Sequence, residues 1–496
     1  MDDQLTWKDA TAQAELVRRG EVSPLELVDA AIERIERCDP ALNAVIHRQF
    51  STARAQAAGE LPRGPFEGVP MLLKDLGAPQ KGELYCEGTS FAKAAGYRAR
   101  RDSFLVERFK KAGFVVLGRT NTPELGTTIT TEPVAFGPTR NPWNTEHTSG
   151  GSSGGSASAV ASGMVPVAHG NDGGGSIRIP ASCCALFGLK PSRGRVSKGP
   201  GGGESWNGFS IDHVLTRSVR DSAAVLDQIA GYRPGDTYVA PPPARPFAHE
   251  VGANPGRLRV GLLDHPAQPE YGVHPECSQA VQAAGRLLES LGHKVEVAHP
   301  SSLEEPEMYR HFLVVVTTAV AAALTEWSQL LGREIAPEEY EPANSLFAML
   351  GRSISAPDYL ESLLFFDGFR RRTIAFWSEQ GFDLLCTPVL AQPPALIGEL
   401  SDPAMGEAKV IETLQFTGQF NATGQPAASL PLRWTPEGLP IGVQLVADYG
   451  REDVLIRVCS QLEEASGWAD RRPTVHARPP PLHLRRDDLP RVANGD

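Results

Sequence analysis

The 496-residue sequence predicts a globular protein of the α/β class. Segments with strand-like apolar runs alternate along the chain with segments of helical periodicity. Hydrophobic residues make up 41% of the chain and charged residues 22%, which supplies a large core and argues against a disordered protein. We therefore expect one large α/β unit, and the chain has no internal repeat.

The N-terminal third begins with a clear helix signal. Ser23 is placed as the N-cap, Pro24 occupies the first helical position, and Glu26 completes a capping box. This helix is expected to end near residues 38–40, and a short strand is expected around Val45.

A second strand is predicted over residues 66–73, whose apolar run is nearly continuous and is bounded by turn residues. Lys74 and Asp75 close this run. A charged pair at the end of a buried strand is uncommon, and it marks Lys74 as a candidate functional residue.

The remaining elements follow from the same periodicities, together with a helix start at 122–124 and a Pro-rich loop at 240–246. Helices are predicted over 102–112, 219–231, 277–291, 307–331, 357–379 and 452–465. Strands are predicted over 114–118, 258–263, 294–298 and 382–388, with two more in FTGQFNATGQPAASLPL and LPIGVQLVA. The aromatic residues of 357–379 favour core packing over pocket lining. The Pro- and Arg-rich tail from about residue 471 is expected to be extended or disordered.

Charge and composition narrow the class of partner and the compartment. The net charge of −11 and the pI of about 5.6 argue against a nucleic-acid or acidic-membrane surface. The N-terminus lacks the apolar core of a secretory signal, and the longest apolar run, 312–324, is too short to span a bilayer. Seven cysteines without CxxC spacing fit a reducing cytosol, so we expect a cytoplasmic protein.

The stretch from residue 148 to residue 191 is predicted to form the active site. It contains two glycine-rich runs, at 150–155 and 173–175, and each precedes sequence that can start a helix. Glycine lets the backbone approach a ligand closely and points N–H groups at it without a side chain in the way.

Two serines in this stretch and the upstream lysine suggest nucleophilic catalysis. A serine needs a base, and a lysine serves as one only when burial lowers its pKa from about 10.4 by roughly three units. Asp75 would oppose this by pairing with Lys74, but neighbours on a strand point to opposite faces. We expect Ser176 to attack a carbonyl, Ser152 to carry the proton between Ser176 and Lys74, and the N–H groups of residues 173–175 to hold the oxyanion.

The sequence resembles the amidase signature hydrolases over about residues 66–196 and again over 416–447. The motifs that carry the resemblance are GVPMLLKDL, GRTNTPELG, TRNPWN, GGSSGGSASAVASG, GGGSIRIPA, GLKPSRGRVS, FNATGQPAASLP and GLPIGVQLV. Several motifs in the same order over this length are far more specific than any one alone.

The resemblance implies a fold and a set of roles. The fold is a large mixed twisted β-sheet covered by helices on both faces, spanning residues 1–470, with a variable pocket-forming part at about 232–400 and a tail at 471–496. Lys74 is implied as the catalytic lysine, Ser176 as the acylated nucleophile, and Ser152 as the bridging serine after a cis Gly151–Ser152 peptide bond. Implied oxyanion-hole or substrate-binding residues are Gly173, Gly174, Gly175, Thr127 and Ser153, with Asp172 and Arg178 bracing the loop.

The implied activity is hydrolysis of a small-molecule amide by a monomer or homodimer without metal or cofactor. The subfamily resembled is that of bacterial hydrolases of nylon oligomer cyclic dimers, while linear and aryl amides, esters and carbamates present a similar carbonyl. Position 173 is often threonine or a larger residue in relatives, so a third glycine here is expected to make the loop more flexible.

Two other functions remain open from the sequence. GxSxG occurs twice, centred on Ser152 and Ser153, as in an α/β-hydrolase elbow that would need a histidine such as His169, His213 or His274. The second alternative is an amidotransferase subunit that supplies ammonia to aminoacyl-tRNA with a partner protein. No HExxH motif or clustered His/Asp spacing indicates a metal site.

Overall fold

An 11-stranded mixed sheet forms the centre of the computed structural model, which describes residues 5–201, 205–268, 270–402 and 405–477. The strands are β1 Val45–Arg48, β2 Pro70–Lys74, β3 Val115–Thr120, β4 Val167–Asp172, β5 Phe187–Lys190, β6 Ile211–Thr216, β7 Arg259–Leu262, β8 Lys294–Val297, β9 Leu384–Pro388, β10 Ala427–Trp434 and β11 Pro440–Ala447. Their order in the sheet is β1-β3-β2-β4-β6-β5-β10-β11-β9-β7-β8. Strands β3, β2 and β4 are parallel, as are β9, β7 and β8, and the pairs between these two groups are antiparallel.

Helices cover both faces of this sheet, which confirms the predicted α/β class. In the described residues they are α1 Ala10–Arg18, α2 Pro24–Leu42, α3 Phe50–Ala57, α4 Ser90–Ala95, α5 Phe104–Lys111, α6 Gly154–Ala161, α7 Arg178–Cys183, α8 Val219–Ile229, α9 Pro275–Ser290, α10 Glu307–Leu331, α11 Pro342–Ser353, α12 Ala356–Ser378, α13 Gly406–Thr413, α14 Gly418–Thr423 and α15 Glu452–Ser466. The predicted capping box at the start of α2 is present, and α2 ends at Leu42, just beyond the predicted 38–40.

Alternation along the strands explains why both faces are apolar. In β2, Leu73 packs into one hydrophobic cluster and Leu72 into the cluster on the opposite face. In β3, Val116 and Leu117 divide in the same way. Since successive strand side chains point to opposite faces, a nearly continuous apolar run is what a strand covered on both sides requires.

Three predicted elements differ from the structure. The strand predicted over 66–73 begins only at Pro70, because Gly68 adopts a positive φ of 79° in the turn before it. The helix start at 122–124 becomes one 3₁₀ turn, Glu124–Gly126. The segment FTGQFNATG contains the buried helix α14 instead of a strand, with Gly424 as its left-handed cap. Gly418, Asn421 and Thr423 in this helix have low helix propensity, so tertiary packing determines the element.

The long helices α10 and α12 follow their predicted bounds closely and pack against each other. As expected for core packing, the α12 residues Phe366, Phe369 and Phe376 are fully buried. By length and composition alone, α10 is apolar enough to cross a membrane, and 44% of its most apolar window is buried inside the protein.

Part of the predicted tail is ordered. Val475 N–H donates to the Pro142 carbonyl and Ala477 N–H donates to the Ser162 carbonyl, both at 2.9 Å, and the Ala477 side chain is buried. The rest of the tail prediction, at 478–496, lies outside the described residues.

Candidate active site

Lys74 is the last residue of β2, and its side chain is fully buried. It lies on the same side of the strand as Leu72, facing the cluster that also contains residues of α6. Its Nζ lies 2.6 Å from Ser152 Oγ and donates to Asn171 Oδ1, also at 2.6 Å. Burial lowers the pKa of Lys74 well below its usual value, although Asp212 and Asp172 act in the opposite direction. The side chain therefore has the environment of a neutral base.

Asp75 does not pair with Lys74, as strand alternation predicts. Its carboxylate accepts the Cys86 N–H at 3.1 Å and lies 4.0 Å from Nε of Arg119. Burial raises the pKa of Asp75 to about 7, with Arg119 opposing the shift.

Ser152 is placed by the first glycine run. The Gly151–Ser152 peptide bond is cis, as the resemblance implies. A Cβ on Gly151 would meet the backbone of Thr130 at 2.7 Å, and one on Gly155 would meet the backbone nitrogen of Asn121 at 2.4 Å. The glycines thus let the 150–155 segment pack directly against two neighbouring backbone segments and hold Ser152 beside Lys74.

The second glycine run forms a loop fastened by Asp172. Its carboxylate accepts the Gly175 N–H at 2.8 Å and the Ile177 N–H at 3.2 Å, and it also pairs with Arg178 at 2.8 Å. Although burial raises it, Arg178 holds the pKa of Asp172 well below its usual range. Asp172 and Arg178 brace the loop as expected.

The backbone donors of this loop are not equivalent. The N–H groups of Gly173, Gly174 and Ser176 have no hydrogen-bond acceptor among the described residues, whereas the Gly175 N–H is used by Asp172. Gly175 instead provides a turn at φ 136°, where a Cβ would meet Thr417 Oγ1 at 2.5 Å.

Each of the other two glycines faces an aromatic ring. A Cβ on Gly173 would lie 3.0 Å from Cε3 of Trp206, and one on Gly174 would lie 3.4 Å from Cζ of Phe312. Trp206 and Asn207 both adopt a φ of 53°, a left-handed conformation that non-glycine residues rarely hold. The third glycine at position 173 thus has a steric reason in this chain, because the Trp206 ring occupies the space of a larger side chain.

We expect Gly173→Ala to lower kcat/KM about tenfold, because the added Cβ meets the Trp206 ring and displaces a neighbouring backbone donor. Trp206→Ala in the same chain should recover part of this loss, since it removes the ring. Steady-state kinetics of the two single variants and the double variant measure the coupling. Equal losses from Gly173→Ala with and without Trp206 would contradict this steric pairing.

A cavity of about 750 Å³ opens onto these residues. Ser152, Ser176, Gly173, Trp206 and Asn171 all line it. Ser176 is partly exposed to this cavity, whereas Ser152 is almost fully buried behind it. An entering substrate would therefore reach Ser176 more readily than Ser152.

Thr127 and Ser153 contact other parts of the protein. The Thr127 hydroxyl donates to Asn344 Oδ1 at 2.7 Å, and the Ser153 hydroxyl donates to the Asn171 carbonyl at 3.3 Å. Neither is among the described residues that line the cavity, although Leu125 and Gly126 are.

Two groups of polar residues lie behind the site, and their contacts with it were not predicted from the sequence. Asn171 holds Lys74 and in turn donates to the Leu76 carbonyl at 3.1 Å. Asp212, on the adjacent strand β6, accepts from Lys198 at 2.7 Å and lies 3.2 Å from His169 Nε2. The sequence offered one signal for these residues. Asn171 is at the end of a buried strand, two residues before the glycine run.

The three histidines considered as partners in an α/β-hydrolase elbow make contacts with residues other than Ser152 and Ser153. His169 is paired with Asp212, His213 Nε2 lies 2.9 Å from Ser222 Oγ, and His274 Nδ1 accepts the Glu276 N–H. Within the described ranges, none of the three hydrogen-bonds Ser152 or Ser153.

Within the part of the chain that the structure describes, two groups of metal-ligating side chains come together, although no sequence spacing indicated them. In each group the ligand atoms lie within 4.8 Å of one another. The groups are His47 with Asp75 and Cys86, and His265 with His299 and Glu304. Neither group lines the cavity, and the Arg119 guanidinium beside Asp75 disfavours a cation in the first.

The chain is an α/β protein with a buried lysine–serine pair beside a cavity, and comparisons with known proteins identify its family as one of hydrolytic enzymes. The Amidase family profile matches residues 26–456. The chain is 44% identical to the 6-aminohexanoate-cyclic-dimer hydrolase of Pseudomonas sp. (strain NK87) over 485 residues, covering 95% of this chain and 97% of that protein. The hydrolase of the same name from Paenarthrobacter ureafaciens matches equally.

Solved structures agree with this assignment. The structure of a 6-aminohexanoate cyclic dimer hydrolase complexed with substrate superposes with a TM-score of 0.91 at 42% identity, covering 95% of this chain and 99% of that one. A bacterial aryl acylamidase superposes with a TM-score of 0.85 at 29% identity, covering 96% and 100%. The chain belongs to the amidase signature family. It is an amide hydrolase closely similar to the 6-aminohexanoate cyclic dimer hydrolases.

Proposed function

We propose that the protein hydrolyses an amide through an acyl-enzyme on Ser176, with Ser152 and Lys74 completing a catalytic triad. The observation that carries the proposal is the fully buried Lys74, whose Nζ lies 2.6 Å from Ser152 Oγ at a cavity also lined by Ser176. A neutral lysine accepts a proton from Ser152, which in turn accepts one from Ser176 as Ser176 Oγ attacks the carbonyl carbon.

The oxyanion that forms is stabilised by backbone donors. The proposed donors are the N–H groups of Gly173, Gly174 and Ser176, and Gly175 is assigned a turn-forming role because its N–H donates to Asp172. The proton held by Lys74 returns through Ser152 to the leaving nitrogen, which departs as a neutral amine. A water molecule then hydrolyses the ester on Ser176 by the same proton route and regenerates the serine.

The proposed substrates are small linear, cyclic or aryl amides. The cavity of about 750 Å³ is large enough for such molecules, and the similar proteins are named for a cyclic dimer of 6-aminohexanoate and for aryl acylamides. Esters and carbamates, including urethanes, present the same carbonyl to Ser176, so we include them as proposed substrates.

We further propose that the enzyme is cytoplasmic, needs no metal or cofactor, and works as a monomer or homodimer without a nucleic-acid or membrane partner. All seven cysteines are buried, and no disulfide joins them, in keeping with a reducing compartment. Thr127 and Ser153 remain proposed substrate-binding residues. Because their hydroxyls donate to other residues, they would bind substrate through backbone groups or after a change of conformation.

The experiment that tests this function is a substrate screen of the purified chain. We expect hydrolysis of a cyclic diamide and of an acyl anilide in buffer alone, without ATP, tRNA or a second protein. Activity that appears only with ATP and a partner protein would instead support the amidotransferase subunit.

A further inference from the structure

The cavity that contains Ser152 and Ser176 also has an acidic and aromatic wall. Glu87 and Glu326 line it, together with Tyr85, Tyr97 and Trp327. The Trp327 ring lies 5.1 Å from the Tyr97 ring in an edge arrangement and 6.3 Å from the Tyr85 ring. No role in the triad chemistry above involves these five residues.

Glu87 is held in one position by its neighbours. Its backbone has a φ of 52°, which is unfavourable for a glutamate, and its carbonyl accepts the Leu125 N–H at 2.9 Å. Its Oε1 accepts the Tyr85 hydroxyl at 2.7 Å, and its Oε2 accepts the Trp327 indole N–H at 2.8 Å. A strained residue held by this many contacts beside a reaction cavity suggests a functional position.

The two donors favour an ionised carboxylate. The Trp327 indole can only donate, and the Tyr85 hydroxyl donates to Glu87 while its oxygen accepts the Gly77 N–H at 3.0 Å. Both carboxylate oxygens therefore act as acceptors, and each has a further lone pair for a ligand.

Among the described residues, neither Glu87 nor Glu326 forms an ion pair with a cation, although Arg100, Arg101 and Lys198 also line the cavity. Burial raises the pKa of Glu87 against its two hydrogen bonds, and the nearby Glu326 carboxylate raises it further. A positive charge between the Glu87 and Glu326 carboxylates would offset their mutual repulsion and the free-energy cost of burying the charge of Glu87.

We propose that Glu87 and Glu326, with the Trp327 and Tyr97 rings, bind a primary ammonium group on the substrate. The preferred substrates are then amides that carry a protonated amine some distance from the scissile carbonyl. Carboxylates supply charge-assisted hydrogen bonds, and the aromatic rings supply cation–π attraction. This inference rests on the proposed function, because it assigns the selectivity of the same cavity.

The test compares substrates that differ only in charge. One pair is 6-aminohexanoyl 4-nitroanilide and heptanoyl 4-nitroanilide, in which –NH₃⁺ replaces –CH₃ at the end of the acyl chain. A second pair, N-acetyl-1,6-diaminohexane and N-acetylheptylamine, carries the same difference on the amine side. We expect the wild type to prefer the ammonium member of at least one pair by about tenfold or more in kcat/KM.

Three variants test whether Glu87 and Glu326 cause the preference for the ammonium substrates. Glu87→Gln and Glu326→Gln should each reduce the ratio of the two kcat/KM values several-fold, with the ammonium substrate losing most through KM. Glu334→Gln, an exposed residue near α10 that does not line the cavity, removes the same charge and should leave the ratio unchanged. Because Glu326 is exposed, its variant should fold even if Glu87→Gln, which places an amide N–H₂ against a donor, does not.

Binding without turnover gives an independent measurement. Hexylammonium should inhibit competitively at concentrations at least about tenfold lower than hexan-1-ol, and Glu326→Gln should remove most of this difference. The proposal is overturned if neither substrate pair shows a preference, or if the preference survives in both glutamine variants. Failure of the proposed function would be distinct, since the wild type would then hydrolyse no member of either pair.

Discussion

Ser176→Ala is expected to lose nearly all turnover, by a factor on the order of 10⁶, as serine hydrolases do when their nucleophile is removed. The loss should fall on kcat, with substrate binding largely retained, because alanine leaves the cavity wall intact. The measurement is single-turnover and steady-state hydrolysis of an amide that the wild type accepts.

Two controls test whether the loss of activity in Ser176→Ala comes from removal of the nucleophile. Ser378→Ala, an exposed serine at the end of α12, should keep wild-type activity. The thermal midpoint of Ser176→Ala should match that of the wild type, since Ser176 makes no side-chain hydrogen bond with the described residues and only its hydroxyl is removed. Retention of more than a small fraction of the activity would show that another residue is the nucleophile.

Lys74→Met is expected to reduce kcat/KM by a factor on the order of 10⁴, because it removes the base that accepts the proton from Ser152. In the wild type, kcat/KM should decrease tenfold per pH unit on the acid side, below the lowered pKa of Lys74, as the amine becomes charged. The residual activity of Lys74→Met should lack this acid limb. Lys111→Met, at an exposed position, should behave as the wild type.

The same substitution should not destabilise the fold. A lysine whose folded pKa lies below its unfolded value binds more protons when unfolded, so the free energy of unfolding rises with pH between the two values. Below that window Lys74 is protonated in both states, and the wild type bears the full cost of burying its ammonium group. Lys74→Met should therefore unfold at an equal or higher temperature than the wild type near neutral pH, without this pH dependence. A large loss of stability would indicate a structural role for the amine.

The sequence was informative where local chemistry determines the structure. The nearly continuous apolar run before Lys74 predicted a strand covered on both faces, and burial of Lys74 follows from its place at the end of that strand. The glycine run at 150–155 predicted close backbone approach, which occurs at Thr130 and Asn121. The roles of the three triad residues were expected from the residue types, were also implied by the resemblance to a family, and remain proposals.

Features that depend on distant segments could not be predicted. Trp206 lies over Gly173, and Glu87 meets Trp327 across 240 residues of sequence. The use of the Gly175 N–H by Asp172 depends on a turn that residue types alone do not specify. Helix α14 is a similar case, since its packing overrides the weak helix propensity of its residues.

The most direct test of the account is the site of covalent labelling. The wild type is incubated with a fluorophosphonate probe, or quenched during turnover of an activated amide, and its peptides are analysed by mass spectrometry. We predict one label, on Ser176, that is absent in Ser176→Ala and forms far more slowly in Lys74→Met. A label on Ser152, Ser153 or any other residue, with Ser176 unmodified, would contradict the proposed mechanism.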